Sequence, residues 1–261
     1  MQYDKTVDYI VDWLKTYAEK GGLKGFVVGV SGGVDSALTS TLCAKTGLPV
    51  IAMSMPLYQK ADQESLADQH LAWLAKTYAN VTTHSVGLTP AFQALESSLP
   101  EDIQDDLSMA NARSRLRMVT LYTFASHHRM LVAGTGNKVE DFGVGFFTKY
   151  GDGGVDLSPI ADLMKSEVYQ LARHVGVIDG ILQAAPTDGL WEDDRTDESQ
   201  LGASYADLEW AMTFLAEGGD RDRLSGERKN VLAIYEKFHR ANQHKMQPIP
   251  VCHIPAALRG Q

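Results

Sequence analysis

Short apolar runs alternate with segments of helical periodicity four times in the first half of this sequence. "FVVGV" (26–30) and "PVIAMSMP" (49–56) are almost continuously apolar, as strands covered on both faces are. "VTTHSV" (81–86) and "RMLVAGTG" (129–136) read as a third and a fourth strand. Between them, "DSALTSTLCAKTG" reads as a helix stopped at Gly47. "DQESLADQHLAWLAKTYA" (62–79) is amphipathic through Leu66, Leu71 and Leu74, and a third helix spans roughly 105–127. Ahead of all these, Val7, Ile10, Val11 and Leu14 recur at helical spacing up to Gly21-Gly22. Strands alternating with helices predict an α/β fold, a doubly wound parallel sheet covered on both sides. After Gly154 the pattern changes to helices near 165–175, 204–217 and 225–243, with no convincing strand. At 261 residues, 44% of them hydrophobic, the chain suffices for one large core, so a single domain over 1–261 with a helical C-terminal portion is expected.

Charge and cysteine content narrow the function classes. A net charge of -9 argues against non-specific nucleic-acid or lipid binding, so any polyanionic substrate needs a local basic patch. Two cysteines, Cys43 and Cys252, with no CxxC pair exclude a cysteine-rich zinc site and fit a reducing compartment, hence the cytoplasm. The charged N-terminal helix is neither a signal peptide nor a membrane span.

The junction after the first strand, "SGGVDS" (31–36), is the first candidate site. In a parallel sheet, ligands bind beyond the carboxyl ends of the strands. Gly32 and Gly33 let backbone N–H groups come close to a phosphate, and the next helix offers a positive dipole end. Ser31 and Ser36 add hydroxyls. Asp35 would repel a bare phosphate, which points to a bridging Mg²⁺. The alternative is a tight Gly-Gly turn with Ser36 or Asp35 as helix N-cap. The spacing fits neither G-x-x-x-x-G-K-[ST] nor G-x-G-x-x-G.

Three later stretches add to this. "NARSRLRM" (111–118) sets three arginines within five residues, with Arg113 and Arg117 on one helix face and Asn111 and Arg115 on another. In an acidic chain such a cluster points to an anion, although a solvated basic face remains open. "GTGNKVEDFGVGFFTKYGDGG" (134–154) again joins glycines at a strand end to Thr135, Lys138, Glu140, Lys149 and Asp152. Glu140 is a second candidate Mg²⁺ ligand. In "DLSPIADLMKSEVYQLA" (156–172), Lys165 opens a helix, where the dipole disfavours a cation unless an anion is bound there.

"SGGVDS" resembles the pyrophosphate loop of the N-type ATP pyrophosphatases, a motif several families share. With "NARSRLRM", "GFFTKYGDGG", "DLSPIADLMK", "APTDGLW" and "NQHKMQPIP" in order, the chain resembles the NAD synthetases from about residue 5 to 250. The resemblance implies an adenine nucleotide alpha-hydrolase-like fold and a homodimer with its active sites near the subunit interface. It also implies an activity. The carboxylate of deamido-NAD attacks the α-phosphate of ATP, pyrophosphate leaves, and ammonia displaces AMP from the acyl-adenylate to give NAD. By the same resemblance Ser31, Gly32, Gly33, Val34, Asp35 and Ser36 form the pyrophosphate loop. Asp35 and Glu140 are its magnesium ligands, and Thr135, Lys165 and Thr187 lie around the ATP phosphates. Asn111, Arg115, Lys149, Asp152, Asp156, His244 and Lys245 contact deamido-NAD. Asp35, Lys165 and Asp152 carry the catalysis.

Two departures stand out. Single-domain members often read "GTDHAAE" where this chain reads "GTGNKVE", and this chain carries one extra residue before "GFF". That version is closer to the glutamine-dependent enzymes, whose large N-terminal glutaminase domain does not fit into the 25 or so residues before the loop. Free ammonia is therefore the expected nitrogen donor, with a separate glutaminase subunit as the alternative. The competing readings are another N-type pyrophosphatase, such as a GMP synthetase ATP-binding subunit or a tRNA-modifying enzyme, and a nucleotide-binding regulator without catalysis. Finally, "TDGLWEDDRTDESQ" (187–200) holds six acids and one arginine. It reads as a solvated linker or as a lid over the substrates hinged at Gly189 and Gly202, with Trp191 as its reporter.

Overall fold

The computed structural model describes residues 1–58, 65–186 and 196–259. Helix α1 (Tyr3–Lys20) buries Val7, Ile10, Leu14 and Ala18, the stripe expected from its periodicity. Strand β1 (Phe26–Gly29) leads through the serine–glycine loop into α2 (Val34–Lys45). Then follow β2 (Val50–Ser54), α3 (Leu66–Thr77), β3 (Val81–Ser85), α4 (Thr89–Ser98), α5 (Asp106–His128) and β4 (Leu131–Val132). The C-terminal part holds a π-helical segment (Lys138–Val144), α6 (Lys165–His174), α7 (Asp179–Gln183), α8 (Asp197–Leu201), α9 (Tyr205–Ala216) and α10 (Gly226–Met246).

The strands form one parallel sheet in the order β3-β2-β1-β4. Alternate residues of β1 go to opposite faces, as the period of a strand requires. Phe26 and Val28 pack with α1, α2 and α6. Val27 packs with Ile51 and Met53 against Phe92 of α4 and Met109 and Ala125 of α5. Both faces are thus covered, which is why β1 and β2 read as unbroken apolar runs. The chain runs β1, β2, β3 in one direction and then returns to place β4 on the other side of β1. The crevice between β1 and β4 is a topological switch point, where open α/β sheets bind their ligands.

Several expectations change in detail. The fourth strand is two residues long. Ala133 N–H still donates to the Val27 carbonyl of β1 at 3.0 Å, but Ala133 also bridges Leu157, and Gly134 N–H donates to the Leu157 carbonyl at 2.8 Å as the chain turns away. A short strand-like contact therefore exists after Gly154, too brief to leave a pattern in the sequence. Helices α4 and α7 stand where no helix was expected. Of the acidic stretch 187–200, the last residues form α8 with Thr196 as N-cap and Gly202 in the left-handed region (φ 74°). Thr187, Gly189 and Trp191, and with them the lid reading, lie outside the described residues.

A third apolar cluster joins the π-helical segment to α8, α9 and α10 through Val139, Val144, Leu201, Leu208, Leu232 and Tyr235. It ties α9 and α10 to the π-helical segment.

Candidate active site

The loop after β1 is tied by its own serines. Ser31 and Ser36 share a hydrogen bond at 3.1 Å, Ser36 Oγ also donates to the Gly33 carbonyl, and Gly33 N–H donates to Ser31 Oγ. Gly32 takes φ 91°, and a Cβ there would stand 3.0 Å from the Ala67 nitrogen. Helix α2 starts at Val34 with Gly33 at its N-cap and no side-chain cap. The N-cap alternative for Ser36 and Asp35 is therefore not what forms. Ser36 braces the loop, and Asp35 lies in the first helical turn with its carboxylate turned across the crevice.

There Asp35 meets residues brought from two distant parts of the chain. Lys165 Nζ donates to Asp35 Oδ2 at 2.6 Å and to Glu140 Oε1 at 2.9 Å. Asn137 Nδ2 donates to Asp35 Oδ1 at 3.0 Å, and Tyr205 Oη to Glu140 Oε1. Tyr205 also reaches Asp197 Oδ2 at 3.1 Å. Lys165 is 3% exposed, yet it keeps its proton. Burial alone would lower its pKa, but the two carboxylates raise it well above the usual lysine range. Burial pushes the Asp35 carboxyl up, and Lys165 offsets that only in part. Burial acts on Glu140 too, but Lys165 and the bonds from Tyr205, Lys165 and Asn137 outweigh it and hold Glu140 below the carboxylate range. Within the chain, Asp35 and Glu140 provide the negative charge that lets Lys165 sit at the start of α6, while Glu209 of α9 takes up Ser166 N–H and Oγ at 2.7 Å each.

Asn137 is fully buried and does two jobs. Its amide nitrogen steers Asp35, and its Oδ1 accepts from Val139 and Glu140 N–H as the N-cap of the π-helical segment. The closing turn of that segment bonds Gly145 N–H to the Glu140 carbonyl five residues back. One inserted residue in a helical turn with pinned ends is absorbed in this way. The extra residue before "GFF" is thus a local widening, and Glu140 stays on the crevice. Asp141, the next residue, has its carboxyl pushed up to about 8, by burial first and then by the charges of Glu140, Asp152 and Asp35.

The second group of expected residues gathers beside the 147–154 loop. Asp152 Oδ1 accepts from Ser114 Oγ (2.8 Å) and Thr148 N–H (2.9 Å), while Thr148 Oγ1 donates to Asn111 Oδ1 at 2.6 Å. Arg115 donates to the Lys149 carbonyl. Lys149 Nζ reaches the His244 carbonyl and Lys245 Nζ the Phe147 carbonyl, so the end of α10 closes the loop from behind. The two-face expectation for α5 holds. Asn111 and Arg115 serve this loop, whereas Arg113 stacks on Tyr58 and Phe92 and Arg117 bonds the Met55 carbonyl. Thr135 lies half-buried between β4 and Asn137. Asp156 stands apart, accepting from Val132 N–H at 2.8 Å and Tyr122 Oη at 3.0 Å.

Sequence reasoning overlooked Asn137, Asp141, Ser114, Thr148 and Tyr205. Asn137 carried a signal, an asparagine three residues before a glutamate, which is an N-cap pattern. Tyr205 carried none, since only the packing of α9 brings its hydroxyl to Glu140.

Residues 6–249 match the NAD synthase family. The NH(3)-dependent NAD(+) synthetase of Methanosarcina acetivorans is 35% identical over 264 residues, 96% of this chain and 98% of that protein. Among solved structures, the NMN synthetase of Francisella tularensis is similar with a TM-score of 0.81 at 30% identity, covering 98% of this chain and 99% of that one. The NH3-dependent NAD synthetase of Campylobacter jejuni, in complex with the nitrate ion, has a TM-score of 0.78 at 25% identity, covering 97% and 100%.

Proposed function

The chain belongs to the NAD synthase family, and on that premise we propose that the Asp35–Glu140–Lys165 centre is where it cleaves ATP. The activity is the ATP-dependent amidation of deamido-NAD with ammonia, giving NAD, AMP and pyrophosphate. One observation carries the placement of the site. Two carboxylates from separate parts of the sequence, Asp35 and Glu140, converge within 2.9 Å of Lys165 Nζ at the switch point of the sheet.

The nicotinate carboxylate is a poor acyl donor, and its oxygen must first attack the α-phosphorus of ATP. Pyrophosphate then leaves, and ammonia adds to the acyl carbon. AMP is expelled and the nitrogen loses a proton. Ser31, Gly32, Gly33, Val34 and Ser36 supply donors and the uncapped start of α2 for the leaving pyrophosphate. Lys165 is a charged donor at the same place, and Thr135 and Thr187 belong to the phosphate surroundings. Asp35 and Glu140 are a hard-oxygen pair converging on one cation, a donor set that fits Mg²⁺ completed by phosphate and water. Bound there, Mg²⁺ would neutralise charge on the departing pyrophosphate.

Asn111, Arg115, Lys149, Asp152, His244 and Lys245 line the deamido-NAD side, with Asp152 completing the catalytic set. Asp156 secures β4 beneath them. Residues 1–261 act as one unit in a cytoplasmic homodimer. Incubation with ATP, Mg²⁺, ammonium and deamido-NAD should yield equal amounts of NAD, AMP and pyrophosphate. ATP cleavage without NAD would overturn the assignment.

The likeness to an NMN synthetase favours a second reading of the acceptor, the deamidated mononucleotide. A competition assay with both acceptors separates the two by their kcat/KM ratio.

A further inference from the structure

We propose that Asn242 of α10, assisted by His239 one turn before it, is a positioning residue for Glu140, holding the closing turn of the π-helical segment so that this carboxylate stays set for Mg²⁺. The proposal rests on the function given above. The geometry begins at the end of that segment, where the last carbonyls of a helix are left without partners of their own. Gly145 and Phe146 N–H both return to the Glu140 carbonyl, the latter at 2.9 Å. The Gly143 and Val144 carbonyls are taken up from outside, by α10. His239 Nδ1 donates to the Gly143 carbonyl at 2.8 Å, and Asn242 Nδ2 donates to the Val144 carbonyl at 2.8 Å.

The second of these bonds reaches Glu140 through a single rigid group. The Val144 carbonyl and the Gly145 N–H belong to one peptide unit, which is planar. Its oxygen is held by Asn242 and its N–H by the carbonyl of Glu140, so releasing the oxygen lets the plane tilt and frees Glu140 with it. Two glycines let α10 and α9 come this close. A Cβ on Gly145, which takes φ 65°, would stand 2.4 Å from Asn242 Cβ, and one on Gly143 would stand 2.8 Å from Met212 Sδ.

The His239 ring stacks on buried Tyr235 at 5.7 Å, and since a carbonyl only accepts, Nδ1 carries the proton. His239, Asn242 and Lys245 follow one another at three-residue spacing along one face of α10. They hold the carbonyls of Gly143, Val144 and Phe147 in the same order. One helix thus fixes the backbone between Glu140 and the 147–154 loop. Lys165 and Tyr205 hold the carboxylate of Glu140, whereas α10 holds its main chain.

The test compares the parent with Asn242→Leu, His239→Leu, His239→Asn and a control, Leu232→Ala, which opens the same apolar cluster away from these bonds. Each protein is melted and followed by amide hydrogen exchange without substrates. Each is then assayed for NAD formation with ATP, ammonium and deamido-NAD over a series of free Mg²⁺ concentrations. Asn242→Leu keeps the size of the side chain and loses the donor. It should speed exchange of the Gly145 amide and raise the Mg²⁺ concentration for half-maximal rate, each about tenfold, the scale of losing a group that orients a metal ligand. KM for deamido-NAD should move less. His239→Asn keeps a donor near the place of Nδ1 and should stay closer to the parent than His239→Leu in both readouts. Leu232→Ala should lower the melting temperature and leave the Mg²⁺ dependence alone. For Asn242→Leu, a Mg²⁺ requirement within twofold of the parent, or an unchanged Gly145 amide, overturns the proposal. So does the same Mg²⁺ shift in Leu232→Ala. Should Asn242→Leu fail to fold, His239→Leu decides, and a parent-like Mg²⁺ requirement there overturns the proposal. If the parent protein makes no NAD, the functional reading fails first and the inference with it.

Discussion

Lys165 occupies a position that a lysine alone could not hold. Fully buried at the positive end of α6, it depends on Asp35 and Glu140, and they depend on it. Removing one partner of a buried ion pair costs about 3–5 kcal/mol, because a charge is left without its counter-charge. Lys165→Met should lower stability by that order in a denaturant melt without Mg²⁺, and Mg²⁺ should restore part of it by taking the lysine's place between the carboxylates. A melt unchanged by Mg²⁺ would count against the metal assignment. Asp35→Asn removes a ligand for the Mg²⁺ that would neutralise the departing pyrophosphate, a role that grows as charge builds on the leaving group in the transition state. It should cut kcat by at least about a hundredfold, the scale of one lost electrostatic contact to developing charge, while the melt shows a folded protein. Near-parent turnover would remove Asp35 from the site. The residue types here were legible, since an aspartate in a glycine loop and a lysine at a helix start are both unusual. Their mutual contact was not, because 130 residues separate Asp35 from Lys165.

At the scale of elements, the π-helical segment and the α2–α3 pair show what a helix start and a helix packing decide. Asn137 caps the segment and orients Asp35 with opposite ends of one amide. Asn137→Ser keeps a capping oxygen and loses the donor to Asp35, whereas Asn137→Ala loses both. The alanine variant should be less stable by about 1 kcal/mol than the serine variant, and both should be equally slow. A serine variant as active as the parent would show that Asp35 needs no steering. Between α2 and α3, His70 is fully buried with Nε2 3.0 Å from Ser40 Oγ and its ring stacked on Trp73. Burial lowers its pKa from 6.5 to about 4. Between those values the unfolded chain binds the proton and the folded one does not, so stability falls as pH drops through that window. The loss attributable to His70 is at most about 3 kcal/mol. Melts from pH 7 to 4.5 should show a steeper decline for the parent than for His70→Gln. Equal slopes would show that His70 is not held neutral.

For the whole molecule, the reaction joins two anionic substrates on a chain of net charge -9. On the proposed placement of the site, Lys165, Lys149, Lys245 and Arg115 would be the local cations that meet that demand, where α6, the 147–154 loop, α10 and α5 converge. The nitrogen nucleophile must carry a lone pair, which ammonia has and ammonium lacks. At fixed total ammonium, the rate of NAD formation should therefore rise with pH from neutral into the alkaline range. A flat profile would mean that a step before ammonia attack limits turnover.

The sequence alone determined the layers of this protein and pointed to the loops of the candidate site. Continuous apolar runs require strands covered on both faces, and the glycines after β1 and β4 mark the loops at the strand ends. It also determined which face of α5 looks toward the site, because helical spacing is a local property. Only the tertiary structure decided which side of β1 receives β4, and so which loops share a crevice. It decided that Lys165 bridges two carboxylates, that Tyr205 reaches Glu140, and that the carboxyl of Asp141 stands in the space of Gly136. These are contacts between residues far apart in sequence or folded back through a widened turn. Their energies depend on burial and on distances of about three ångströms, which no local pattern records.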